Sequence, residues 1–151
     1  MELALIPIVG INDLKFGCTP AEVTKCFGEP EEIEELNDDL LNDNALVYHY
    51  WDIGLSIFFS IRENKIFSSL EIDNKDAILF GKRIFDLNEK EIIALFKENN
   101  FKLSESENHE WGEKRLSFDD INVDLYFANN KLSSINYGTL QDNSSFYYFP
   151  N

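Results

Sequence analysis

Apolar residues recur along this chain at two spacings, and the switch between them marks out its elements. Val23, Cys26 and Phe27 stand three and four apart, as on one face of a helix, and Ile92, Leu95 and Phe96 repeat that spacing. Elsewhere every second residue is apolar. Leu46, Tyr48 and Tyr50 alternate with Val47, His49 and Trp51, while Leu55, Ile57, Phe59 and Ile61 alternate with Ser56, Phe58 and Ser60. That is the pattern of half-buried strands.

Cap and turn residues set the boundaries. Thr19 suits an N-cap, Pro20 the first helical position, and Glu22 completes a capping box. Gly28 and Pro30 then stop the segment, so the spacing predicts a helix over 20–27. Strands are expected at Ala45–Trp51, Leu55–Ile61 and Ile66–Ile72, joined by a hairpin at Asp52-Ile53-Gly54 and a turn at Arg62–Lys65. Residues 3–9 read as a short extended segment ended by Gly10, Asn37–Asn44 as an exposed loop, and Ala77–Gly81 as a link between halves.

The second half replays the first at an offset of about 68 residues. Asn88 and Glu91 take the places of Thr19 and Glu22. Leu116 and Phe118 echo Tyr48 and Tyr50, and Asp120-Ile121-Asn122 echoes Asp52-Ile53-Gly54. Val123, Leu125 and Phe127 echo Leu55, Ile57 and Phe59, with a turn at Asn129-Asn130-Lys131. Where the first half has an acidic loop, the second has the milder stretch Ser104–Glu110. The expected fold is α+β, a single domain over 1–151. Two helix-plus-antiparallel-strands repeats, about 11–72 and 80–137, form one sheet with both helices packed on one face. The aromatic tail, 138–151, carries Phe146-Tyr147-Tyr148-Phe149 and is expected to dock on the core.

Composition changes this picture in one respect. A 44% hydrophobic share with thirteen Phe and six Tyr is enough for a core, so wholesale disorder is not expected. The net charge of −15 is unusual. It argues against nucleic acid and anionic membrane as partners and favours a basic protein, with simple solubility as the alternative. Cys26 to Ile61 contains no Lys or Arg, while Glu29, Glu31, Glu32, Glu34, Glu35, Asp38, Asp39, Asp43 and Asp52 all fall inside it. The opening MELALIPIVG lacks the basic start and length of a signal peptide, which points to the cytoplasm.

Candidate chemistry is sparse. Cys18 and Cys26 are too far apart along the helix for a bridge, and Cys26 reads as a small core residue. No zinc, calcium, P-loop, dinucleotide or nucleophile-elbow spacing is present, so neither a cofactor, a metal nor an enzyme is expected. What remains is surface. Phe58 and Tyr126 should point to the face opposite the helices, joined by Trp51 and His49. The candidate partner-binding residues are therefore Trp51, Phe58 and Tyr126 as anchors and Glu31, Glu32, Glu34, Glu35, Asp38 and Asp39 for electrostatic steering.

The run Leu14–Pro30, with Phe16-Gly17, Thr19, Glu22-Val23, Phe27-Gly28 and Pro30, resembles the repeat opening of the beta-lactamase-inhibitor-protein-like and small outer-membrane-lipoprotein A group. That resemblance implies a helix on antiparallel strands, often in tandem, and its protein-binding branch fits better than a secreted lipoprotein. The second copy departs from the motif, with Asp86 where the first has Gly17 and no Gly-Pro stop. In character, a small acidic domain without enzyme motifs is similar to the bacterial immunity proteins of contact-dependent inhibition and other polymorphic toxin systems. By analogy, the expected function is binding and neutralising a basic, nuclease-type toxin domain. A structural or scaffold interaction domain and a small-ligand-binding protein are the alternatives.

Overall fold

Three short strands open the chain: β1 (Ala4–Ile6), β2 (Gly10–Ile11) and β3 (Leu14–Lys15), paired antiparallel in succession. Gly10 is needed at their turn, because its φ is +156° and a Cβ there would run into the Leu14 carbonyl. Helix α1 follows at Pro20–Phe27. The Thr19 hydroxyl accepts from the Glu22 N–H, and the Glu22 carboxylate accepts from the Thr19 N–H, each at 3.2 Å. Gly28 ends the helix at φ 84°, donating to the Thr24 carbonyl.

The structure is a computed structural model that describes residues 2–38, 43–61, 65–109 and 112–140. After α1 come β4 (Glu32–Asp38), β5 (Asp43–Tyr50), a 3-10 turn at Trp51–Ile53, β6 (Leu55–Ser60) and β7 (Ile66–Ile72). Then β8 (Ile78–Leu79), β9 (Lys82–Arg83), a 3-10 turn at Ile84–Asp86 and α2 (Glu89–Glu98) lead into the last strands. These are β10 (Glu105–Asn108), β11 (Glu113–Phe118), β12 (Val123–Ala128) and β13 (Lys131–Gly138). Asn88 and Glu91 close the capping box of α2. Asn129 and Asn130, both at positive φ, make the two-residue turn between β12 and β13.

The fold is α+β, mostly strands, with two helices and two sheets. The larger sheet runs β10-β11-β12-β13-β7-β6-β5-β4, antiparallel throughout. The smaller runs β3-β2-β1-β8-β9, with β1 and β8 parallel. Sequence spacing did not foresee this second sheet. Ala77–Gly81, expected as a link, supplies β8, because Ala77 and Leu79 are fully buried there and anchor the chain beside β1.

A single cluster of apolar side chains fills the space between the sheets and around the helices. Phe96 of α2 stacks on Phe118 of β11 with ring centroids 4.0 Å apart, and Phe27 of α1 meets Tyr50 of β5 at 5.7 Å. Phe16 sits 4.7 Å from Phe67. The Tyr137 hydroxyl donates to the Gly10 carbonyl at 2.6 Å, tying the larger sheet to the smaller.

Three further expectations are corrected. The acidic stretch is largely strand rather than loop: β4 pairs with β5 from Glu32↔His49 to Asp38↔Asp43, leaving 39–42 outside the described residues. Acids are poor strand formers, but backbone pairing prevails here because the side chains stay in water and lose no hydration. The stretch at 104–110 likewise contains a strand, β10. Cys26 is exposed, not core, since Val23 and Phe27 take the inward positions of this short helix. The aromatic cluster Phe146-Tyr147-Tyr148-Phe149 lies outside the described residues.

No helix among the described residues is long and apolar enough to cross a membrane.

Candidate functional site

One cross-strand row on the face away from the core spans all eight strands of the larger sheet without an apolar residue. It reads Glu105, Ser117, Asp124, Asn136, Glu71, Ser56, His49, Glu32. Four carboxylates and no Lys or Arg lie in it. Polar residues are the ordinary covering of a sheet face turned away from the core, and what distinguishes this row is its run of acids without a cation.

The β4 end of the row is tightly ordered. His49 is only 8% exposed. Its Nδ1 lies 2.7 Å from the Ser56 hydroxyl and its Nε2 lies 2.9 Å from a Glu34 carboxylate oxygen. In the neutral ring, Nε2–H donates to Glu34 and Nδ1 accepts from Ser56. The Trp51 indole stacks on the imidazole, with centroids 4.3 Å apart and planes 8° apart. Its N–H donates to Glu32 at 3.2 Å, and the backbone N–H of Asp52 donates to Glu31 at 3.1 Å. Trp51 is nonetheless 56% exposed. Beside it lies a cavity of about 200 Å³ lined by His49, Trp51, Gly54, Leu55, Ser56, Glu71 and Asp73.

Hydroxyl, imidazole and carboxylate in sequence are the parts of a nucleophile relay. Acyl transfer also needs donors aimed at a developing oxyanion. The cavity beside Ser56 presents the carboxylates of Glu71 and Asp73 instead, which oppose negative charge. The chemistry it suits is different. An aromatic ring and two acidic residues lining one cavity favour a cationic side chain.

The acids at the β10 end of the sheet are partly compensated by cations. Arg115 pairs with Glu107 at 2.7 Å and Glu105 at 3.5 Å, and Lys114 with Glu89 at 2.7 Å. Ser117 donates to Asp124 at 2.6 Å. Tyr126 stands beside this group, its hydroxyl pKa raised first by burial and then by Asp124. Among the described residues, no group of three or more His, Cys, Asp or Glu is arranged to hold a metal ion.

The structure brings Trp51, Glu31, Glu32 and Glu34 into one cluster. Trp51 itself is not the last residue of a strand but the first of the 3-10 turn, and that turn swings it onto His49. Phe58 is half-buried, opposite Val47 in the next row. Tyr126 is half-buried on β12, with β7 and β13 between it and β6, about 14 Å across the sheet at ~4.8 Å per strand. Phe58 and Tyr126 thus share the His49 face of the sheet but stand in two separate groups along it. Glu35 is exposed on β4, Asp38 ends that strand, and Asp39 lies outside the described residues. The sequence sets Ser56 on the same face as Phe58 but gives it no role, and it does not point to Glu71, Asp73 or Arg115. The hairpin centred on Trp51–Gly54 brings Ser56 opposite His49.

No family model matches the chain, and no curated protein matches it. Among solved structures, a DUF4309 family protein (YjgB) from Bacillus subtilis is similar at 14% identity and a TM-score of 0.45, over 80% of this chain and 77% of that one. A likeness at that level bears on neither fold nor function.

Proposed function

We propose that this protein is a stoichiometric inhibitor that grips a basic protein partner, and that the partner is a nuclease-type toxin domain neutralised by an immunity protein. The observation that carries this reading is Trp51. It is a large aromatic, more than half exposed, yet fixed by stacking on buried His49 and by its bond to Glu32. An exposed aromatic held rigid loses little entropy on binding, which is how a few residues come to dominate an interface. The acids around it have no Lys or Arg neighbour between Cys26 and Ile61, whereas those of the other sheet end are paired with Arg115 and Lys114. Acids with no Lys or Arg close in sequence, gathered around a rigid aromatic, favour a cationic partner and speed its approach.

The finer architecture belongs to the same reading. Two copies of a helix and four strands join at β7 and β13, and both helices cover the core face of the shared sheet. The matching 3-10 turns support it, each closed by a left-handed residue, Gly54 in one and Asn122 in the other. A cytoplasmic location, where an inhibitor meets an incoming toxin, goes with it.

The test is to retain a basic protein from host lysate on the tagged chain at low salt, release it with rising salt, and assay its nuclease activity. One equivalent of the chain should abolish that activity. A retained protein whose activity is unchanged by an equivalent would contradict the reading.

A further inference from the structure

The last strand of the larger sheet, β4, has β5 as its only strand partner among the described residues and is continuous in register with it from Glu32 to Asp38, without a bulge. Every residue from Glu31 to Asn37 is exposed, so both faces of the strand stand clear of the core. On its outer edge alternate backbone N–H and C=O groups have no strand partner among the described residues. Folded proteins usually blunt such an edge with lysine, proline, a bulge or a covering element. β4 guards its edge with acids alone, having no lysine, proline or bulge within it and no covering strand among the described residues, and it is seven residues long against four for β10 at the other end.

Its side chains say what it will accept. Glu32 and Glu34 project on the His49 face, Glu35 on the other, and each face also carries one exposed apolar residue, Leu36 at 41% and Ile33 at 55%. A second copy of this chain paired through β4 would set carboxylates against carboxylates on both faces, which is unfavourable cross-strand. A strand carrying Lys or Arg on both faces, with apolar residues between, meets complementary charge at every acid.

We infer that β4 is a docking edge for an extended, Lys- or Arg-bearing segment of the protein partner, which adds to the larger sheet as a ninth strand. This rests on the proposed binding of a basic partner and gives that partner a geometry. Backbone pairing supplies affinity in such an addition, and the alternating acids supply register and selectivity.

The test uses the full chain, isotopically labelled, and an N-acetylated peptide of repeating Lys-Lys-Val-Val, which sets Lys on both faces of a strand, followed by amide NMR at low salt. A control peptide of equal charge has its central amides N-methylated, which removes strand donors on both edges. The inference predicts shifts at the amides of 31–38, slower solvent exchange along that edge, and binding of the control weaker by about tenfold or more. Equal binding of the control would overturn strand addition. Shifts confined to His49, Trp51 and Ser56, with β4 unmoved, would overturn it while leaving a basic partner in place. An absence of binding by either peptide would overturn it and count against the basic partner as well. Concentration-dependent shifts at β4 without peptide would give the edge to a second copy instead.

Discussion

The imidazole of His49 lies flat beneath the indole of Trp51, their planes 8° apart and their centroids 4.3 Å apart. His49 is held at both ring nitrogens, by Ser56 at 2.7 Å and Glu34 at 2.9 Å, so the stack has a fixed base. Exposure and rigidity are combined in one side chain, which is what separates an anchor from an ordinary surface aromatic.

Replacing Trp51 by Ala should therefore separate binding from folding. Trp51 is 56% exposed, so its loss should change stability by no more than about 1 kcal/mol. Its loss from an interface should cost about 2 kcal/mol or more, read as a dissociation rate some thirtyfold faster. A thermal melt and a dissociation trace on the retained partner check the two halves.

Much of this fold was legible in the sequence where a local rule has a local cause. Thr19 with Glu22 and Asn88 with Glu91 mark helix starts because a cap is satisfied within one turn. Leu55, Ile57 and Phe59 mark a strand because one face is dry. β4 was not legible for the converse reason. Both its faces are wet, so no alternation is imposed, and Glu32 to Asp38 read as loop although the backbone is paired throughout. The His49–Glu34 contact was hidden with it, since it depends on a register that only the missed strand supplies.

The core should be least tolerant where a helix meets the sheet. Phe96 is fully buried and stacks on Phe118 at 4.0 Å. Phe96→Ala should cost about 3–5 kcal/mol, the range for a large aromatic removed from a packed interior. Denaturant unfolding measures this, and a loss under about 1 kcal/mol would contradict the packing.

The two cysteines should react at very different rates. Cys26 is exposed, whereas Cys18 is half-buried and its thiol is pushed up to about 12 by burial, with the Glu22 charge adding to the shift. Thiolate is the reactive form, so at pH 8 Cys26 should be alkylated first and Cys18 slowly. Peptide mass spectrometry after a short pulse of iodoacetamide distinguishes them, and equal labelling would place Cys18 wrongly.

Alkali should destabilise the fold through its buried tyrosines. Burial raises the Tyr50 hydroxyl from 10.0 to about 12, with Tyr48 and Glu29 adding to it, and raises Tyr137 further still. Above pH 10 the unfolded chain gives up these protons and the folded one keeps them, so the unfolded state binds fewer and stability falls as pH rises. The contribution is whole below pH 10 and is lost as pH climbs through the folded values. Tyr137→Phe, which also breaks the 2.6 Å bond to Gly10, should be less stable at pH 8 by about 1–2 kcal/mol yet show a shallower fall above pH 10. Melting curves from pH 8 to 12 check both, and parallel curves would contradict the assignment.

The central claim is that acids on and around β4 draw in a basic partner. Its most direct test is the association rate of the retained basic protein with the wild-type chain, across a range of salt. The comparison is a variant carrying amides at Glu31, Glu32, Glu34, Glu35, Asp38 and Asp39. The wild-type rate should fall steeply as salt rises, and the variant should start at least about tenfold slower at low salt with a nearly flat dependence. Equal rates and equal salt slopes for the two chains would show that these acids are merely solvated, and the account of this surface would fail.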